Sequence, residues 1–429
     1  MFGWEFPPHI SGGLGTASYG LTRGLSTIPE LDILFVVPKA FGDESQSRMR
    51  LLGANEVELE ARHLRYSNKL KEISYLEVNS RLVPYTSPEE YEALVKKAEN
   101  RNKRFIETTR GGKLHFTGTY GKDLYQEIAN YALVAGKIAE DHSHDLIHAH
   151  DWLTYPSGIA AKEASGKPLV IHVHATDFDR SGGNVNPIVF EIEKKGMEAA
   201  DRVIAVSNLT RNTIIDKYGI DPDKVETVYN AVEPLKDQEK IALKKGVADK
   251  VVTFLGRVTL QKGPEYYIQA AEKVLRKMDN VRFVMAGSGE LLEKMVSWVA
   301  ALGISDRFHF TGFLKGEDVF RMFSISDVYV MPSVSEPFGI SPLEAMQSNV
   351  PVIISRQSGV SEILKYAVKT DFWDVDAMAD AIYAYLNYPA LSSMFIKYGK
   401  EEVDQMKWEN SARRVFKIYQ ETVNPTLQL

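Results

Sequence analysis

Ser335-Glu-Pro-Phe-Gly-Ile-Ser-Pro-Leu-Glu-Ala-Met346 is the stretch on which the reading of the fold turns. It follows a strand-like apolar run, Asp327-Val-Tyr-Val-Met331, and passes through a turn rich in Pro and Gly. A helix is expected to open at Ser341-Pro342, with Ser341 as its N-cap and Pro342 at the first helical position. Glu336 then lies in the loop just beyond the strand, and Glu344 in the first turn of the helix. The backbone amides of Gly339, Ile340 and Ser341 would point out of the helix N-terminus, where an anion binds well. Amides for a phosphate, with one carboxylate on each side, suit a ligand that carries both phosphates and hydroxyls. Two glutamates eight positions apart also arise by chance, so the argument needs the neighbouring elements.

Those elements repeat one pattern. Val251-Val-Thr-Phe-Leu-Gly256 reads as a strand and Arg257-Val-Thr-Leu-Gln-Lys262-Gly263 as a loop, and Pro264 opens an amphipathic helix to about Met278. Strands follow at 281–286, 308–312, 327–331 and 350–355, with helices between them ending near Ala301 and Phe323. Strands that alternate with helices predict a parallel, doubly wound sheet. Arg257 and Lys262 stand just past a strand's carboxyl end, where two cations can neutralise a diphosphate leaving group. An Arg and a Lys in a loop are otherwise simply solvated.

The first half alternates in the same way. Met1-Phe-Gly-Trp4 is short for a buried strand, which calls for either a stub or a strand that has lost its first residues. Gly12, Gly13 and Gly15 make a turn whose backbone can approach a pyrophosphate at a helix start, or one that merely connects tightly. A strand at 31–38 follows, then β-like pieces around 55–60 and 72–78. A surface segment dense in both signs of charge runs from Pro88 to Lys113, and a helix spans about Tyr125 to Glu140. Two later strands finish in polar clusters: His148, His150, Asp151 and Trp152, then His172, His174, Asp177, Asp179 and Arg180. Ligands of open α/β sheets gather outside the carboxyl ends of strands, so both clusters point at one cleft. The alternating histidines and Asp177-Phe-Asp179 could each hold a metal, but such spacings also serve plain packing, and no metal is expected. The polar, lysine-rich stretch from Glu233 to Lys250 marks a boundary between residues 1–233 and 234–407, each a Rossmann-like domain.

Composition limits the function classes. With 429 residues, 44% hydrophobic and 25% charged, the chain is an ordinary globular protein of two or three domains. A net charge of −6 argues against a nucleic-acid partner. Without cysteine there is no disulfide, thiol nucleophile or thiolate metal site. The sequence offers no signal peptide and no apolar run long enough to span a bilayer, so a cytoplasmic location is expected.

Together, Gly12-Gly13-Leu14, His148-Ala-His-Asp-Trp152, Arg257 with Lys262-Gly263, and Glu336 with Glu344 resemble the motifs of retaining GT-B glycosyltransferases. The group is group 1 (GT4-like), which includes bacterial and archaeal glycogen and starch synthases and sucrose-phosphate synthase. The resemblance runs over almost the whole chain. It implies two Rossmann-like domains facing a deep cleft, a nucleoside-diphosphate sugar donor on the second domain, and a saccharide acceptor on the first. It implies no cofactor and no metal requirement. Arg257 and Lys262 then match the pair on the donor phosphates, Glu336 the acid beside the transferred sugar, and Glu344 the acid on the ribose hydroxyls. Gly339, Ile340 and Ser341 match the turn that touches sugar and phosphate, and Gly12 and Gly13 the glycine loop under the pyrophosphate. His174 matches the cleft histidine near the reacting sugar, Asp151 an acid on the acceptor side, and the last helix, within 408–429, the tail that crosses back onto the first domain.

Two departures stand out. Glycogen synthases of this group usually carry Lys two residues before the glycine pair, where this chain has Ile10. The ending His174-Ala-Thr-Asp-Phe-Asp-Arg180 also differs from the common synthase version. Both favour the broader group 1 set over a strict ADP-glucose glycogen synthase. The same fold could instead serve a sugar-nucleotide epimerase, a transferase to a sugar phosphate or lipid, or a non-catalytic binder; a donor-only assay and liposome flotation distinguish these.

Overall fold

The computed structural model describes residues 1–10, 12–44, 49–59, 113–235, 246 and 248–424. Two sets of parallel strands, each flanked by helices, organise the chain. The first set comprises β1 (Leu34–Val37), β2 (Arg50–Gly53), β3 (Ile147–His150), β4 (Leu169–Val173), β5 (Arg202–Ala205) and β6 (Val225–Thr227). The second comprises β7 (Lys250–Leu255), β8 (Val281–Ala286), β9 (Phe308–Gly312), β10 (Val328–Met331), β11 (Val352–Ser355) and β12 (Val368–Thr370).

The second sheet has the order β12-β11-β10-β7-β8-β9. Its central strands β10 and β11 are buried along their whole length and β7 over all but its ends, because helices cover both faces. Val252, Phe283, Val330 and Ile353 are essentially inaccessible, and burying each such side chain contributes roughly 1.5–3 kcal/mol. The order reverses between β7 and β10, which pair through Val328 with Val252 and Tyr329 with Thr253. In a doubly wound sheet the crevice opens at such a reversal, outside the carboxyl ends of the two strands. Those ends lead into the Arg257–Lys262 loop and the Ser335–Met346 turn.

The first sheet obeys the same logic through the amino-terminal stub. Phe2 bridges Val36 of β1 and Ala149 of β3. The Phe2 amide donates to His148 O at 2.7 Å and the His150 amide to Phe2 O at 3.0 Å. A few residues thus join β2-β1 to β3-β4-β5-β6, and the reversal falls between the stub and β3. Here the carboxyl ends lead into Glu5–Gly13 and Asp151–Thr154.

Among the described residues, the strand-like reading of 55–60 holds only at Glu58, which forms an isolated antiparallel bridge with Lys113. The strand is Arg50–Gly53, and Ala54–Glu56 is a single 3-10 turn in which the Asn55 side chain accepts the Ala40 amide at 3.1 Å. The pieces expected near 72–78 and from Pro88 to residue 112 lie outside the described residues. Helix Trp408–Val423 packs against helix Gly13–Leu25. Gly20 makes this approach possible, because a Cβ there would stand 2.2 Å from the Trp408 ring. No helix among the described residues is long and apolar enough to cross a membrane.

Candidate active site

The two strand-end regions face each other across a cleft of about 1010 Å³. One wall descends from β7 and β10. Lys262 Nζ donates to Glu336 Oε2 at 2.5 Å, and Ser333 Oγ to the same oxygen at 3.1 Å. Glu336 is only 8% exposed, so the lysine offsets a charge that water barely reaches. Arg257 lies beside them with Nη2 3.2 Å from Gln261 Oε1. Glu336 is pinned by its backbone as well: its amide donates to Gln357 O, and its carbonyl accepts from the Gly359 amide, both at 2.9 Å.

The turn then reaches Gly339, whose φ of +103° is a conformation that side chains rarely adopt. Among the described residues, no hydrogen-bond acceptor meets the amides of Gly339, Ile340 and Ser341. The expected cap is corrected here. Helix Ser341–Gln347 has Ile340 at its N-cap, with no side-chain capping bond. The Ser341 hydroxyl lies 2.8 Å from the Tyr329 hydroxyl, which is buried in the lobe and takes it as a partner. Glu344 sits in the first turn and lines the cleft.

The facing wall is built from the ends of the stub, β3 and β4. Asp151, 5% exposed, has φ +64°, a strained value for a non-glycine residue. Both of its carboxylate oxygens accept from Arg180 Nη2, at 3.0 and 2.9 Å. Arg180 Nη1 reaches Glu193 Oε1 at 2.8 Å, and Tyr218 also donates to Glu193. Burial pushes the Glu193 carboxyl up to about 8, against the opposing pull of Arg180. Asp177 and Asp179 are occupied too. Asp177 Oδ2 accepts the Asn186 amide at 2.5 Å, and Asp179 Oδ2 accepts the Thr176 amide and hydroxyl, each at 2.8 Å. The Asp-x-Asp pattern is a pair of local caps.

His174 lines the cleft, with Nε2 3.1 Å from His150 Nδ1. Burial lowers its pKa to about 4, with Arg180 adding to the effect and Asp151 opposing it. His148, His150 and His172 lie behind it, fully buried and held well below the usual imidazole range, with burial the largest cause. His148 Nδ1 meets the Tyr419 hydroxyl of the last helix at 2.5 Å. His148, His150 and His172 each offer a nitrogen within 4.8 Å of the others, and at the surface a His9 nitrogen and carboxylate oxygens of Asp43 and Glu44 lie equally close. The three buried rings, however, lie within 31° of parallel, which does not aim their in-plane lone pairs at one point. In the surface group, Glu44 is already taken by the amides of Phe41 and Gly42.

The cleft gathers the residues to which the resemblance gives a role, Gly12, Gly13, Asp151 and His174 from one side, and Arg257, Lys262, Glu336, Gly339, Ile340, Ser341 and Glu344 from the other, whereas His148, His150, His172, Asp177 and Asp179, which the sequence also pointed at it, do not line it. Gly12 and Gly13 begin a helix with open space around them. Sequence reasoning missed Glu5, Ser333 and Gln261, which also line it. Glu5 could have been found, since it follows the stub just before the Pro7-Pro8 turn.

Residues 236–402 match the profile of glycosyl transferases group 1, and residues 95–234 that of glycosyltransferase family 4. An uncharacterised glycosyltransferase of Methanocaldococcus jannaschii is 27% identical over 438 residues, covering 98% of this chain and 97% of that one. The alpha-maltose-1-phosphate synthase of Mycolicibacterium smegmatis is 28% identical over 306 residues, covering 64% of this chain and 78% of its own. The solved sucrose-phosphate synthase from Thermosynechococcus elongatus superposes with a TM-score of 0.69 at 16% identity, over 96% of this chain and 94% of that one. The chain belongs to the group 1 glycosyltransferases and has their GT-B fold.

Proposed function

We propose that this protein is a retaining glycosyltransferase that moves a hexosyl group, glucosyl in the first instance, from a nucleoside-diphosphate sugar to a hydroxyl of a saccharide such as an α-glucan. The observation that carries the reading is the Lys262–Glu336 pair beside three amides for which the described residues supply no acceptor, at the point where the second sheet reverses. A lysine has three donors, so Lys262 can keep Glu336 and still meet a phosphate oxygen. Arg257, Lys262 and the amides of Gly339–Ser341 supply the charge that a departing diphosphate needs, and no metal ion is required for that step. Glu336 orients the transferred sugar, Glu344 takes the ribose hydroxyls, and the Gly12-Gly13 loop lets the pyrophosphate approach.

The acceptor enters along Asp151 and His174. The bond from the sugar's anomeric carbon to the phosphate oxygen breaks, and the acceptor oxygen bonds to that carbon on the same face. Its proton passes to the leaving phosphate, which retains configuration. The lobes close over the reactants and exclude water. A cytoplasmic location is part of this proposal. A small sugar phosphate as acceptor is the second reading, favoured by the likeness to a protein named for making maltose 1-phosphate.

Turnover tests this. The donor among ADP-, UDP- and GDP-glucose that most raises the melting temperature is incubated with glycogen, with glucose 1-phosphate, or with neither. Transfer to glycogen supports the first reading, and transfer to the phosphate the second. Donor conversion to another sugar nucleotide without acceptor would replace both with an epimerase.

A further inference from the structure

We propose that Ser335 and Asp179 form a positioning pair that sets the two walls of the cleft in register for transfer. The proposal rests on the transferase reading and adds a role to residues that the reaction itself does not touch. Although 156 positions separate them in sequence, Ser335 Oγ donates to Asp179 Oδ1 at 2.5 Å. Neither side chain lines the cleft. Each, however, is bonded along the chain to a residue that anchors it. Ser335 precedes Glu336, which holds Lys262; Asp179 precedes Arg180, which holds Asp151 next to His174.

Both ends of the bond are rigid. Asp179 Oδ2 is fixed by the Thr176 amide and hydroxyl, so Oδ1 has little freedom to follow a moving partner. On the other side, the Val334 amide donates to Gln261 O and the Glu336 amide to Gln357 O, each at 2.9 Å. A bond between two fixed points specifies a distance between the lobes. A second crossing lies at the far flank of the same turn, where Thr210 Oγ1 donates to Pro337 O at 3.4 Å. Beside it, Glu362 accepts the Asn208 and Leu209 amides at 2.9 and 2.7 Å.

Asp179 is buried and Ser335 partly so, which gives a bond to a charged oxygen more weight than at the surface. Same-face attack needs the reacting atoms held at about 3–3.5 Å, so a register set outside the cleft governs rate more than donor affinity.

The test compares wild type with Ser335→Ala, Ser335→Thr, Asp179→Asn and the double variant Ser335→Ala/Asp179→Asn, using the glucose nucleotide chosen above. Ser335→Ala is expected to lower kcat about tenfold, as loss of one bond to a charged group does, while the donor KM stays within about twofold. Ser335→Thr restores the rate, and the double variant is no slower than the slower single variant. In solution scattering of the ligand-free proteins, Ser335→Ala has a larger radius of gyration than wild type. An unchanged kcat, a KM that rises with the fall in kcat, or an unchanged radius of gyration overturns the pair. If wild type transfers no sugar, the functional reading fails, and the scattering comparison still decides whether the bond sets the lobes.

Discussion

The two walls of the cleft occupy equivalent places, each at the carboxyl ends of strands that flank a sheet reversal, yet they use their charge in opposite ways. On the β3–β4 side, Asp151, Asp177, Asp179 and Glu193 are spent on Arg180, on backbone amides and on hydroxyls of the protein itself. On the β7–β10 side, one Lys262–Glu336 pair stands next to amides for which the described residues supply no acceptor. Position at a strand end thus marks a wall of the cleft, and the capacity left unused by the protein marks where a charged ligand is met. The first wall is a scaffold that orients, and the second a surface that binds.

Acid should break the first wall before the second, with the largest effect expected. His148, His150, His172 and His174 are all held below their ordinary pKa. The unfolded chain binds protons near pH 6.5 that the folded one refuses, so stability is full above that value and falls below it. Each histidine costs about 1.4 kcal/mol per pH unit in that range. Glu193 works the other way, because its raised pKa makes folding take up a proton between its ordinary value and about 8, and burial raises Asp177 in the same sense, but these are two carboxyls against four imidazoles. Urea unfolding at pH 7 and pH 5.5 should show a loss of several kcal/mol, and equal stabilities would mean the imidazoles are not held neutral.

Arg180→Ala comes next. It leaves the Asp151 carboxylate buried without its cation, which costs about 3–5 kcal/mol in the same assay at pH 7. A loss below about 1 kcal/mol would remove the distinction between a self-neutralised wall and an open one. On the second wall, Lys262→Ala or Arg257→Ala should cut kcat by about 10²-fold or more, as for loss of one oxyanion donor. Near-wild-type turnover at saturating donor would show that the cations do not serve the leaving group. The smallest effects separate two glycines. Gly339→Ala places a side chain at φ +103° and 3.2 Å from Glu336 Cγ, expected to cost about 1–2 kcal/mol and to raise the donor KM. Gly12→Ala, with extended backbone and open space, should change unfolding stability by less than about 0.5 kcal/mol.

What the sequence made legible was local. An apolar run that ends in His-Asp, in Arg257 or in Glu336 announces a strand and its functional end within a dozen residues, and Asp151, Arg257 and Glu336 reached one cleft. The alternation of strands and helices conveyed two doubly wound sheets. What stayed hidden depends on partners far along the chain. Ser341 has the residue type and position of an N-cap, but a buried Tyr329 hydroxyl claims it. Asp177 and Asp179 have the spacing of a metal site, but the Asn186 amide, Thr176 and Ser335 satisfy them. Neither the Asp151–Arg180–Glu193 network nor the bond between Ser335 and Asp179 leaves a pattern in sequence, because each is decided by how helices and lobes pack.

The most direct check on the central claim, that the β7–β10 wall is a diphosphate site, is calorimetric titration of UDP, ADP and GDP into wild type, Lys262→Ala and Asp151→Asn. The account predicts that at least one nucleotide binds wild type, that Lys262→Ala weakens it by about tenfold or more, and that Asp151→Asn, if folded, binds it as wild type does. Binding that survives Lys262→Ala undiminished, or that is lost in folded Asp151→Asn instead, would contradict it.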